Sequence, residues 1–194
     1  VATEHKSVLD VLDRLSRRDF EVTLLPVSPA GSPDAGLIDL AQLQASIRPE
    51  TILISIMAAN NEVGVIQHIA DIGRLCRDRG VTFHCDATQA VGKIPVDFHN
   101  LGVDAMTVAP HKFHGPLGIG ALVVKHEIKL QPQLFGGFQQ AGLRPGTENV
   151  ALAAGFHTAL QLAINELDDR ATRMQSLREQ LEESLRSELS NIVI

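Results

Sequence analysis

Lys112 and Asp86 are the residues whose types could act together in chemistry. The lysine lies in Val108-Ala109-Pro110-His111-Lys112-Phe113-His114-Gly115-Pro116-Leu117-Gly118-Ile119-Gly120, and the aspartate in Phe83-His84-Cys85-Asp86-Ala87-Thr88-Gln89. A primary amine condenses with an aldehyde, and a carboxylate keeps a pyridine nitrogen protonated. An amine 26 positions beyond a strand-terminal aspartate therefore reads as the two halves of a pyridoxal phosphate site. Each half also has a plainer reading. A lysine in a glycine-rich turn is ordinarily a surface cation, and an aspartate heading Asp86-Ala87-Thr88-Gln89 can simply cap that turn. Gly115, Gly118 and Gly120 let the backbone turn tightly near a ligand, but they do not complete a dinucleotide or P-loop pattern.

The elements that must position these residues alternate between helix and strand. Val8, Leu12 and Leu15 have helical spacing within 4–18, and 20–25 reads as a strand. Residues 26–36, rich in Pro, Gly, Ser and Asp, form a loop, and Asp39 is placed to cap a helix over 40–47. The apolar run 51–57 suits a strand buried on both faces. A helix over 69–78 turns Ile69, Ile72, Gly73 and Cys76 inward and stops at Gly80. Further strands fall at 81–85, 105–109 and 119–124. The order predicts an α/β fold of three layers, a mainly parallel sheet with helices on both faces. Asp86 and Lys112 each follow a strand, and ligands of such sheets bind at the carboxyl ends of strands.

From about Asn149 the pattern changes. Leu160, Ile164 and Leu167 make one apolar stripe, and Leu177, Leu181, Leu185 and Leu189 continue at intervals of four. This predicts a long, kinked helix outside the sheet, with 191–194 as the start of a strand. The expected division is 1–148 for the sheet domain and 149–194 for a connecting helix and the start of a small domain. Val1 in place of Met, and the Glu4-His5-Lys6 run, read as an internal stretch of a longer protein.

The chain has 194 residues, 44% hydrophobic and 21% charged, with a net charge of −6. Such a balance does not favour a nucleic-acid or anionic-membrane surface as partner. Trp and Tyr are absent, so no aromatic stacking platform for nucleic acid is expected. The apolar runs are too short for a membrane helix. Two cysteines, Cys76 and Cys85, make no disulfide framework, and a reduced cytoplasmic setting is the default.

His111-Lys112-Phe113-His114-Gly115-Pro116, followed by Gly118-Ile119-Gly120-Ala121-Leu122, resembles the lysine signature of the class V aminotransferase-like enzymes, within fold type I of the pyridoxal phosphate enzymes. Four further segments are similar, in order, to the cysteine desulfurase and selenocysteine lyase branch. They are Thr3-Glu4-His5-Lys6-Ser7-Val8, Asn60-Asn61-Glu62-Val63-Gly64, His84 through Lys93, and Arg144-Pro145-Gly146-Thr147-Glu148-Asn149. The resemblance covers nearly the whole chain. It implies that Lys112 binds the cofactor aldehyde and moves protons at the substrate's α carbon. Asp86 would pair with the ring nitrogen and His5 stack on the ring. Asn61 and Gln89 would reach its phenolic oxygen side. His111 would bind the phosphate, and Thr147 the phosphate of a partner subunit's cofactor, implying a homodimer. The implied substrate is L-cysteine, and the implied acceptor a sulfur-receiving scaffold of iron–sulfur assembly.

The chain departs from the family pattern at Ala109, where a phosphate-binding hydroxyl is common, and at Pro110, which lacks an N–H. It departs again in Phe135-Gly136-Gly137-Phe138-Gln139-Gln140-Ala141-Gly142, where a third glycine and a Glu-Arg pair are usual. The resemblance also implies parts beyond these residues: a phosphate-binding turn upstream, and a cysteine-bearing loop and a substrate-binding arginine downstream. The fragment is expected to be inactive without them. Cys76, within a helix, and Cys85, facing away from Asp86, are poor candidates for the reacting thiol. Three readings follow. The first is a cysteine desulfurase, giving alanine and an enzyme persulfide. The second is another class V aminotransferase or lyase, such as selenocysteine lyase. The third is a noncatalytic α/β binding module.

Overall fold

A computed structural model describes residues 1–192. Its sheet has the spatial order β1 (Leu53–Ser55), β2 (Thr82–Asp86), β3 (Ala105–Val108), β4 (Ala121–Val124). The first three strands are parallel, with Ser55 opposite His84 and Asp86 opposite Thr107, and β4 returns antiparallel to β3. The sheet is mostly parallel and flanked by helices, an α/β fold. Helices α1 (Lys6–Ser16) and α2 (Leu40–Ser46) precede it, α3 (Ile69–Arg79) connects β1 to β2, and α4 (Val150–Asn165) and α5 (Leu167–Glu188) follow.

Side-chain period two assigns the faces of β2. Phe83 and Cys85 point into the apolar core, where Ile54, Ile72, Cys76 and Met106 are also buried. Helix α3 packs against β2 and buries Ile69, Ile72, Gly73 and Cys76, the four positions expected from periodicity. It stops at Gly80, whose left-handed backbone accommodates the turn. Asp39 caps α2, accepting the Ala41 N–H at 2.8 Å.

Several expectations fail where neighbouring segments decide the outcome. Residues 20–25 do not form a ladder strand. They carry no regular secondary structure, with Ala2 donating to the Leu25 carbonyl at 2.9 Å, and Phe20 is exposed. The run 51–57 is not covered on both faces, because β1 is the sheet edge among the described residues and Ile52 and Leu53 stand out to solvent. Strand β4 is shorter than 119–124. The long helix is broken at Glu166, and its inward face differs from the expected stripe. Phe156, Ala159, Leu160 and Ala163 pack on the core, whereas Ile164 is exposed. Leu177, Leu181 and Leu189 of the α5 region are exposed. The strand expected over 191–194 ends outside the described residues, and Asn191 lies in a turn.

Candidate active site at the carboxyl edge of the sheet

Asp86 is the last residue of β2 and is buried. Its Oδ1 accepts the Thr88 N–H at 2.9 Å, so one carboxylate oxygen caps the turn. The other takes no hydrogen bond among the described residues. Backbone bonds fix the strand end on both sides: Ala58 donates to the Asp86 carbonyl at 2.8 Å, and Ala87 donates to the Thr107 carbonyl at 3.0 Å. The turn-capping reading of Asp86 is therefore met by one oxygen of the side chain.

Lys112 leaves the adjacent parallel strand. After β3 the chain forms a short 3₁₀ helix, Pro110–Phe113, and the Lys112 N–H donates to the Ala109 carbonyl at 3.2 Å. Phe113 is buried and anchors this turn, while His111 and Lys112 are exposed. Lys112 has no ion-pair partner among the described residues. Pro110 is tolerated because the first N–H of a helix has no intrahelical partner. It also closes the turn, since Gly115 donates to the Pro110 carbonyl at 2.8 Å and a Cβ on Gly115 would sit 2.6 Å from the Pro110 Cβ. Pro110 thus exchanges a donor for a tightly packed turn.

His5 caps α1 rather than lying inside it. Its Nδ1 accepts the Ser7 N–H at 3.1 Å, which leaves Nε2 as the ring atom available to another partner. Two bonds hold this segment at the carboxyl end of β1: Met57 N–H to Glu4 Oε1 at 2.7 Å, and Asn60 Nδ2 to the Thr3 carbonyl at 2.9 Å. A hollow of about 300 Å³ opens there, lined by Thr3, Glu4, His5, Met57, Asn60 and Asn61 among others. Asn60 performs the turn bonding considered for Asn61. It is buried, and its Oδ1 accepts the N–H groups of Glu62 and Val63 at 2.8 and 2.9 Å. Asn61 is exposed, with its side chain free of such bonds.

Gln89 is half-buried in the turn after Asp86, where its Oε1 accepts from Lys93 Nζ. Thr147 stands apart, in the exposed loop that leads into α4, and makes no hydrogen bond to the other candidate residues. The chain therefore places Asn61, Asp86, Gln89, His111 and Lys112 on segments leaving the carboxyl ends of β1, β2 and β3, His5 on the N-terminal segment bonded to the first of these, and Thr147 elsewhere.

The electrostatics follow from burial. Desolvation pushes the Glu4 carboxyl above its ordinary value, and the charge of Asp86 adds to this, while the Met57 N–H pulls the other way. Below Asp86 on the same face, His84 bridges three strands: Nδ1 meets Ser55 Oγ and Nε2 meets Thr107 Oγ1, each at 2.8 Å. Burial lowers the His84 pKa, partly opposed by Asp86. Both thiols are buried. Burial and Asp104 push Cys76 up to about 12, and burial with Asp86 raises Cys85 further. Neither has the thiolate character of a nucleophile. Glu4, Asn60 and Lys93 were not singled out from the sequence. Glu4 and Lys93 lie inside the motif segments, but nothing in their spacing shows which partner each would reach.

A buried acid and an exposed amine leave the ends of neighbouring parallel strands, the edge at which α/β sheets bind ligands. Residues 1–193 match the family model described as Aminotransferase class-V, and the chain belongs to that family. It is 47% identical over 181 residues to "Cysteine desulfurase IscS" of Pectobacterium carotovorum, covering 92% of this chain and 44% of that protein. It is 44% identical over 195 residues to the protein of that name from Anaeromyxobacter dehalogenans, covering 99% and 47%. Among solved structures, a "NIFS-LIKE PROTEIN" superposes with TM-score 0.90 at 38% identity, over 95% of this chain and 50% of that one. DndA from Streptomyces lividans superposes with TM-score 0.86 at 36% identity, over 95% and 52%. The chain thus spans about half the length of the relatives it matches, and these relatives are pyridoxal-phosphate-dependent enzymes.

Proposed function

We propose that the whole protein is a pyridoxal-phosphate-dependent cysteine desulfurase, which removes sulfur from L-cysteine to leave alanine and an enzyme persulfide. The observation that carries this is the exit of Asp86 and Lys112 from adjacent parallel strands. The residues present fit the cofactor: Asp86 has a carboxylate oxygen without a protein donor, and Lys112 an ammonium without an ion-pair partner, among the described residues. When bound, pyridoxal phosphate supplies an electron sink for negative charge at the substrate's α carbon.

Lys112 holds the cofactor through Nζ and moves the proton at the α carbon. Asp86 keeps the proton on the ring nitrogen. His5 would hold the ring, and Asn61 and Gln89 would bond to its phenolic oxygen. His111 binds the phosphate; with Ala109 and Pro110 beside it, the hydroxyl and N–H that usually help are missing. Thr147 reaches the phosphate of a partner subunit, so the protein works as a homodimer. The persulfide falls to a thiol that these residues do not include, because Cys76 and Cys85 are buried. The sulfur passes to a scaffold protein of iron–sulfur assembly. Two free thiols support a reducing, cytoplasmic setting. No described helix is long and apolar enough to cross a membrane. The boundary of the sheet domain falls near Asn149, whose side chain caps α4 by accepting the Leu152 N–H at 3.0 Å. The identity to cysteine desulfurases disfavours another class V reaction or a noncatalytic module.

The test uses the full-length protein purified with pyridoxal phosphate. It should be yellow, borohydride should fix the cofactor onto the Lys112 peptide, and cysteine should yield sulfide and alanine. Lys112→Ala should abolish all three. A colourless protein overturns the cofactor assignment. Transfer of the amino group to a keto acid, without sulfide, overturns the reaction.

A further inference from the structure

Lys93 belongs to no role described above, yet it ends the turn that Asp86 begins. Residues 87–94 fold into a tight helical turn: Val91 donates to the Ala87 carbonyl, and Lys93 and Ile94 to the Ala90 carbonyl, each at 3.0 Å. This brings Lys93 back over Gln89, four positions earlier, and its Nζ donates to Gln89 Oε1. The turn is docked on the 3₁₀ helix of Lys112. At Gly92 a Cβ would meet the Phe113 Cβ at 2.8 Å, so the two segments touch with no room for a side chain. Burial lowers the Lys93 pKa, and the charge of Lys112 lowers it further, as expected of two lysines converging on one place.

An ammonium has three donors and no acceptor. Lys93 therefore accepts only one orientation of the Gln89 amide, with the oxygen turned toward itself and the NH₂ turned away. A free glutamine would present its oxygen or its NH₂ with similar ease. An oxygen facing a phenolate-like oxygen repels it, whereas an NH₂ donates to it. We propose that Lys93 is a positioning residue that locks the Gln89 amide with its NH₂ toward the cofactor's phenolic oxygen. This rests on the functional reading given above. It concerns a contact within this chain, Lys93 to Gln89, and a side-chain orientation that follows from donor chemistry.

The experiment compares full-length wild type, Lys93→Met, Lys93→Arg, Gln89→Ala and the Lys93→Met/Gln89→Ala double variant. Each is loaded with pyridoxal phosphate. The readouts are the visible absorption maximum, the cofactor dissociation constant and Tm. Lys93→Met should move the absorption band in the same direction as Gln89→Ala and weaken cofactor binding about tenfold, the loss of one hydrogen bond to a charged group. Lys93→Arg, which keeps a cationic donor, should hold the band at the wild-type position. The double variant should be no worse than Gln89→Ala, because Lys93 acts only through Gln89. Lys93→Gln, with a neutral donor, replaces the methionine variant if that one does not fold. A Lys93→Met band at the wild-type position overturns the inference, and so do losses that multiply in the double variant. A colourless wild type overturns the functional reading and this inference with it. A yellow wild type with an unchanged Lys93→Met overturns this inference alone.

Discussion

Glu4 Oε1 accepts the Met57 N–H at 2.7 Å across 53 positions of sequence. This bond joins the segment that bears His5 to the carboxyl end of β1. It holds with the Asn60–Thr3 bond, so the His5 cap sits at the carboxyl end of β1, the strand next to the one that ends in Asp86. The remaining Glu4 oxygen is buried and has no partner. A carboxyl in that position is anchored by one oxygen and strained by burial of the other.

Glu4 thus makes stability depend on pH. Its folded pKa lies above the ordinary 4.5, mainly through burial. Between pH 4.5 and the raised folded value the native state keeps a proton that the unfolded chain has released, so stability falls as pH rises. The contribution is whole below pH 4.5 and lost as pH climbs through the folded value. Glu4→Gln keeps an acceptor for Met57 without the titration. Urea unfolding of the full-length apoprotein from pH 4.5 to 8 should show Glu4→Gln gaining on the wild type as pH increases. Glu4→Ala, which leaves the buried Met57 N–H unpaired, should cost about 1–3 kcal/mol at every pH. A wild-type to Glu4→Gln difference that is constant with pH would sink the burial argument.

The thiols allow a direct test of which cysteine does not react. With a pKa of about 12, Cys76 is roughly one part in ten thousand thiolate at pH 8, and Cys85 is lower still. Iodoacetamide should leave both unlabelled in the native full-length protein and label both in urea. The Cys76→Ala and Cys85→Ala variants should keep sulfide release within about twofold, since neither buried thiol is reached by substrate. Rapid native alkylation of Cys85, or loss of sulfide release in Cys85→Ala with an unchanged Tm, would assign it the role that its burial denies.

Much of this arrangement is legible in the sequence because it rests on local rules. Gly80, Asp39 and the inward face of α3 follow from caps and from a 3.6-residue period. The exits of Asp86 and Lys112 from neighbouring strands follow from the alternation of helix and strand. Other features are long-range and have no local signature. The run 20–25 has strand-forming residues, and only its neighbours decide that it lacks a ladder partner. Ile164 fits an apolar stripe as well as Ala163 does, and the approach of Phe113 and Gly92 selects the smaller residue. Asn60 and Asn61 are the same residue type side by side, so the fold alone decides which one closes the turn. Glu4 lies within a motif, yet the Met57 N–H it binds is 53 positions away.

Gly92 is where the fold of the Asp86 turn and the placement of Lys112 are coupled. Its φ of 76° is unfavourable for any residue with a Cβ, and that Cβ would lie 2.8 Å from Phe113 Cβ and 3.1 Å from Ala163 Cβ. Both atoms are buried, so the strain cannot be relieved by a flexible side-chain tip. Gly92→Ala should cost roughly 2 kcal/mol or more, from the left-handed backbone and the overlap together. Phe113 directly follows Lys112, so pushing it away moves the amine relative to Asp86. Gly31→Ala is the matched control: its φ is 85°, and nothing lies within 4 Å of the added carbon. The control should lose only the backbone cost, about 1 kcal/mol, and bind pyridoxal phosphate as the wild type does. Gly92→Ala should lose cofactor affinity by more than its Tm change explains at a temperature where both variants are folded. Equal cofactor dissociation constants for the two variants, measured by equilibrium dialysis, would show that the Gly92–Phe113 contact does not hold Lys112 in place.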